Sequence, residues 1–178
     1  MSARAEAPNS SNENARDQGR ILLVTDEPDR TVIAGLERAG YVMVGVSPST
    51  AALVSLSRTR PHVVIADFKL KGVSGPEVAR KLAGAEDYTP CVLVGSEPAT
   101  DERRLESLAA GARDYFQMPQ QLELLLMRVG QLVALRLGID RLRSEADLDP
   151  LTGLANRRRF RKALGRELEM FKIGRGHV

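Results

Sequence analysis

Two aspartates in this chain stand where a polypeptide can do phosphoryl chemistry. Asp26 follows the apolar run Ile21-Leu22-Leu23-Val24, and Asp67 follows Val63-Val64-Ile65-Ala66. If both runs are strands of one sheet, the two carboxylates arrive at the same edge from distant parts of the sequence. Crowded carboxylates repel unless a cation joins them, and an oxygen-only donor set suits Mg2+. A carboxylate beside such an ion can also attack a phosphoryl donor and form an aspartyl-phosphate. The blander reading makes each Asp the cap of the helix or turn that follows. The pairing at one edge weighs against it.

Other reactive residue types carry less. Cys91 is the single cysteine, so it forms no internal disulfide and no cysteine-based metal site by itself; a buried apolar thiol is the expectation. His62 precedes an apolar run and is expected at the surface. The basic run Arg157-Arg158-Arg159 lacks interleaved aromatics and reads as a solvated helix face rather than a nucleic-acid contact.

The elements that position the aspartates follow from the spacing of apolar residues. Ile21–Val24, Tyr41–Val46, Val63–Ala66, Cys91–Val94 and Asp114–Phe116 read as strands. Between them Pro28–Ala39, Thr50–Arg58, Pro76–Leu82 and Asp101–Ala110 carry helical spacing, and a long helix starts near Gln120. Strands alternating with helices predict an α/β fold with a doubly wound five-stranded parallel sheet. In such sheets function gathers at the carboxyl ends of the strands. There stand Thr25-Asp26-Glu27, Asp67, Gly95-Ser96 and Met118-Pro119.

These segments also resemble a known family. Arg20-Ile-Leu-Leu-Val-Thr-Asp-Glu-Pro28 is similar to the opening of response-regulator receiver domains, in which a strand ends in two adjacent acids. Pro61-His-Val-Val-Ile-Ala-Asp-Phe-Lys-Leu-Lys-Gly-Val-Ser-Gly75 resembles the family's phosphoacceptor segment, with Gly75 where it turns into its helix. Ala109-Ala-Gly-Ala-Arg-Asp-Tyr-Phe-Gln-Met-Pro119 resembles the last strand and its following cis-type proline. The resemblance implies a flavodoxin-like fold and Asp67 as phosphoacceptor. It makes the Asp26 and Asp67 carboxylates and the Lys69 backbone carbonyl the expected Mg2+ ligands, and Tyr115 and Ser96 the switch residues.

Three positions depart from the family. Thr25 replaces the first acid, Gly95 the phosphate-bonding hydroxyl residue, and Met118 the lysine before the proline. Ser96 would have to reach in from the next position. Phosphoryl transfer depends on positioning and on charge stabilisation, and losing one electrostatic partner of a transition state costs ~2.7–4 kcal/mol in other enzymes. Mg2+ binding is weakened, and Tyr115 loses its hydroxyl partner. Two readings follow: slow phosphorylation of Asp67 by a histidine kinase with weak readout, or a degenerate receiver that works through protein contacts. The second is favoured.

Beyond the last strand, Leu122, Leu125, Val129 and Leu132 recur at helical spacing, and Leu135, Ile139, Leu142 and Ala146 resume the pattern. The first set suits packing on the sheet; the second suits a coiled coil holding a homodimer. Asp149-Pro-Leu-Thr-Gly-Leu-Ala-Asn-Arg-Arg158 resembles the opening of GGDEF domains, which make cyclic di-GMP. The segment that names those domains is absent from the 178 residues, so this chain is expected to be inert as a cyclase; a longer parent would be the alternative. The expected organisation is a disordered tail over 1–19, a receiver over 20–135, a helical linker over 136–148 and a truncated GGDEF opening over 149–178.

Composition sets the outer limits. Hydrophobic residues make up 43% and charged residues 28%, a globular profile. A net charge of +3 does not by itself imply nucleic acid. No stretch approaches the ~18 apolar residues of a membrane span, and no secretory leader is evident, so a cytoplasmic address is expected.

Overall fold

The computed structural model describes residues 18–86 and 88–146. Five parallel strands form one sheet in the order β2-β1-β3-β4-β5: β1 Arg20–Val24, β2 Val42–Ser47, β3 Val63–Asp67, β4 Cys91–Gly95 and β5 Tyr115–Gln117. The intervening helices are α1 Arg30–Arg38, α2 Ala52–Thr59 (entered through a 3-10 turn, Ser49–Ala51), α3 Gly75–Ala83 and α4 Asp101–Ala109. A long α5 spans Leu122–Ala146. This is the doubly wound arrangement the alternation predicts, in the flavodoxin-like form the resemblance implies.

The three central strands read as continuous apolar runs because helices cover both of their faces. Ile21, Val24, Val63, Ile65, Ala66, Val92 and Leu93 have no exposed surface, and burying a Val, Leu or Ile contributes about 1.5–3 kcal/mol. At the edge, β2 is looser, with Val42 and Val46 partly exposed and a register irregularity opposite Ile21/Leu22. The parallel register aligns Val24 with Ala66 and Asp67 with Val94, so the ends of β1, β3 and β4 lie side by side. That alignment brings the chemistry-bearing loops together.

Cys91 is buried at the start of β4, and burial pushes its thiol up to about 12, which leaves it an unreactive apolar group. His62 departs from its expected surface position: it is 3% exposed. Its backbone N–H donates to the Arg20 carbonyl at 2.8 Å, and its Nδ1 accepts the Arg20 N–H at 2.9 Å. The β1–β3 pairing therefore runs one residue further than the apolar run, with an imidazole finishing the ladder. Gly19, assigned to the tail by composition, is also buried, its carbonyl accepting the Val42 N–H at 2.9 Å. A Cβ there would stand 2.8 Å from both the Tyr41 ring and Val133. Residues 1–17 of the tail expected over 1–19, residues 147–148 of the expected linker and the GGDEF-like stretch over 149–178 lie outside the described residues.

Along α5, Leu125, Val129, Leu132 and Val133 are buried, and Leu122 packs over Gly35 of α1. Leu135, Ile139 and Leu142 are exposed. The chain divides into two compact units between Leu135 and Arg136. In the described part of the second, Arg136 Nε donates to Asp140 at 3.2 Å, one turn away. Among the described residues no helix is long and apolar enough to cross a membrane.

Candidate functional site

At the carboxyl ends of β1, β3 and β4 lies a cavity of about 240 Å³. Thr25, Asp67, Lys69, Gly95, Ser96, Tyr115 and Met118 line it, bringing seven of the eight sequence-selected positions to one place. Asp26 is the exception. It lies beside the wall rather than in it, its Oδ2 accepting the Lys71 backbone N–H at 2.5 Å.

The loop after β3 is fixed by its own chemistry. Ser74 and Glu77 form a reciprocal capping box at the start of α3, with Pro76 in the first turn. Gly75 closes the loop because nothing larger fits: a Cβ there would stand 2.3 Å from the Asp67 carbonyl oxygen and 2.8 Å from the Phe68 Cα. Its N–H donates to the Phe68 carbonyl at 3.0 Å. Across the cavity mouth, Asp29 caps α1 by accepting the Thr31 N–H at 2.7 Å.

Asp67 is half-buried, and Thr25 Oγ1 donates a short hydrogen bond to its Oδ2. Burial pushes the Asp67 carboxyl above its ordinary range; Thr25 opposes this, and the charges of Asp26, Asp29 and Glu27 add to the rise. The donor set is oxygen-only, as Mg2+ requires, and the crowded negative field is one a cation relieves. Yet Thr25 brings a hydroxyl donor to the position of an acid and takes up one Asp67 lone pair. Among the described residues no group of three or more His, Cys, Asp or Glu side chains is placed to hold a metal ion. The residues fit Mg2+ in kind, as oxygen donors.

The remaining wall is occupied by Tyr115. Its ring has no exposed surface, packs edge-on against Phe68 at 5.5 Å between centroids, and its hydroxyl donates to the Glu97 carbonyl at 2.7 Å. Gly95 makes this possible, since a Cβ on residue 95 would stand 2.7 Å from the Tyr115 hydroxyl. Burial pushes the phenol up, against the lowering effect of Arg103, so it remains a donor. Ser96 is exposed, and its backbone carbonyl accepts from Gln117 Nε2 at 3.1 Å. Met118 is 8% exposed and precedes a cis peptide to Pro119; a thioether stands there instead of an ammonium.

Sequence reasoning missed Phe68, Glu97 and Arg103. Glu97 pairs with Lys69 and, at 2.9 Å, with Arg103, and these cations hold its carboxyl below the usual range. The Arg103 guanidinium lies 4.8 Å from the Phe68 centroid and 5.5 Å from that of Tyr115. Glu97 and Arg103 are ordinary surface types at unremarkable spacing, and no periodicity marks them.

A family profile described as the response regulator receiver domain matches residues 21–130. Response regulator MprA of Mycobacterium tuberculosis is 33% identical over 157 residues, 83% of this chain and 67% of that protein. The same organism's probable transcriptional regulatory protein TcrX is 30% identical, covering 72% of this chain and 55% of its own length. Among solved structures, the receiver domain of the sensor histidine kinase PA1611 from Pseudomonas aeruginosa, with magnesium coordinated in its active-site cleft, is 27% identical. It superposes with a TM-score of 0.56 over 66% of this chain and 98% of that one.

Proposed function

The chain belongs to the response regulator receiver family, and from that membership we propose that it is a degenerate receiver, signalling through protein contacts rather than through phosphorylation of Asp67. It is a two-component response regulator; the proposal concerns how its receiver works. The observation that carries it is the wall of the Asp67 cavity. Met118 contributes a buried thioether where the family has a lysine, and Gly95 lets Tyr115 fill the space of the missing hydroxyl.

Each departure removes one task of phosphoryl transfer. Thr25 donates to Asp67 instead of adding a carboxylate, so the acceptor oxygen is partly engaged before any donor arrives. Met118 offers no charge to a transferring phosphoryl group, which removes one source of transition-state stabilisation. Tyr115, with its hydroxyl on the Glu97 carbonyl, has no side-chain hydroxyl at residue 95 to follow. Bound Mg2+ would be held by the Asp26 and Asp67 carboxylates and the Lys69 carbonyl, and would supply charge neutralisation of the phosphoryl oxygens. Asp26 and Asp67 are retained, and they favour a second reading in which a histidine kinase phosphorylates Asp67 slowly.

The partner is a histidine kinase or another signalling protein, and a second copy of the chain pairs through the exposed Leu135, Ile139 and Leu142 stripe of α5. The name TcrX carries describes a transcriptional regulator; the reading of this chain includes no nucleic-acid contact and no cyclase activity. Incubation with acetyl phosphate and Mg2+, followed by intact-mass spectrometry, tests the proposal. The wild type is expected to stay unmodified, and a T25D/G95T/M118K variant to gain phosphate at Asp67. Stoichiometric modification of the wild type overturns the degenerate reading in favour of the second.

A further inference from the structure

The cavity that holds Asp67 is not without cations: Lys69 and Arg103 both line it. Both are claimed by Glu97, which also lines the cavity, Lys69 on one carboxylate oxygen and Arg103 on the other at 2.9 Å. Arg103 is preset for an anion. Its side chain is 22% exposed, its guanidinium is held against the faces of Phe68 and Tyr115, and its Nε–H is buried with no acceptor among the described residues. A guanidinium held in a fixed plane is well suited to a tetrahedral oxyanion.

We propose that Lys69 and Arg103 form a phosphoryl-anion site at the mouth of the Asp67 cavity, and that Glu97 is its internal occupant. The Glu97 carboxylate stands in for the anion, bridging the two cations that would otherwise answer a phosphoryl group on Asp67. Arg103 thereby takes the place of the ammonium lost at Met118, from a different element and under the control of a competing carboxylate. The proposal rests on reading this cavity as a receiver pocket and deepens that reading. The ligand class is a phosphoryl or similar tetrahedral oxyanion, and displacement of Glu97 frees the loop after β4. Because the Tyr115 hydroxyl donates to the backbone carbonyl of the same residue, movement of Glu97 is transmitted to β5.

The test is a titration with Mg2+ and beryllofluoride of wild type, E97Q, E97Q/R103Q and E97Q/K69A, following the amides of Gly95 and Ser96 by NMR. Glu97 is half-exposed and Gln preserves its shape, so E97Q is expected to fold; thermal melts check this. Where wild type binds beryllofluoride at all, E97Q should bind it about two- to fivefold more tightly, the range of a partly exposed ion pair. Each double variant should lose the gain. Equal affinity of wild type and E97Q, or a gain kept without Arg103 and Lys69, overturns the proposal. Where neither protein binds beryllofluoride, the Arg103 Nε–H resonance decides with inorganic phosphate as probe. It must shift at about two- to fivefold lower phosphate in E97Q than in wild type, and equal midpoints or an unmoved resonance in E97Q overturn the assignment. Tight wild-type binding would defeat the degenerate reading yet leave this comparison intact.

Discussion

The absence of a side chain at residue 95 shapes the site as much as any group present. With Gly95, the Tyr115 phenol sits inward and bonds the Glu97 carbonyl at 2.7 Å; a Cβ would crowd that hydroxyl at 2.7 Å. Gly95→Ser should therefore expel the phenol, cost about 1–3 kcal/mol as overpacking does, and move the Tyr115 ring resonances. Unmoved rings would mean the pocket has slack that the geometry denies. Asp67 offers a second test. Its carboxyl is raised in the folded protein by burial and by Asp26, Asp29 and Glu27, so the native state binds this proton more readily than the unfolded chain does. Stability is then lost as pH rises from the ordinary carboxylate value through the raised native one, and the loss persists at neutrality. Asp67→Asn should melt higher than wild type at neutral pH, with the difference shrinking in acid; a lower melting temperature at neutral pH contradicts this. Asp67, Thr25, Gly95 and Met118 were legible because each stands at or just after a strand end, and Tyr115, which begins β5, only through the family resemblance. Glu97 and Arg103 were not, because a charge pair between a loop and a helix depends on side-chain reach rather than on spacing.

At the scale of elements, the apolar runs of β1, β3 and β4 dictate the sheet, and a residue's place in that sheet decides its tolerance. Gly75 begins α3 against the backbone of Asp67 and Phe68, where the clash is with main chain and cannot be relieved by a rotamer. Gly75→Ala should destabilise the protein by about 1–3 kcal/mol in urea unfolding and loosen the acceptor loop; a neutral effect would show that the loop can move aside. His62→Ala should cost about 1–3 kcal/mol, since it leaves the Arg20 N–H without its acceptor. His62 was misjudged from sequence because a polar residue before an apolar run ordinarily precedes the strand, whereas here it completes the β1–β3 ladder. Gly19 was misjudged for a related reason: composition marks where apolar residues begin, and a glycine packed under Tyr41 and Val133 adds nothing to that signal. Helix starts were read well where side chains cap them, as with Thr100 before α4, whose hydroxyl accepts the Arg103 N–H.

For the whole molecule, the early turns of α5 are buried, and Leu135, Ile139 and Leu142 are exposed. If that stripe joins two copies, sedimentation should give a dimer for the wild type and a monomer for L135E/L142E; a monomeric wild type would remove homodimerisation from the account. Both the apolar repeat and the half of it that is buried were legible in the sequence: Leu125, Val129 and Leu132 are buried, and Leu135, Ile139 and Leu142 are exposed. The central claim is that the receiver pocket is impaired as a phosphoacceptor. Its most direct test is an amide NMR titration of the wild-type chain with Mg2+ and beryllofluoride, repeated on Asp67→Ala. The account predicts no saturable shifts around Asp26, Asp67 and Tyr115 at millimolar Mg2+. Saturable shifts at those residues, abolished by Asp67→Ala, would contradict it and establish a working phosphoacceptor.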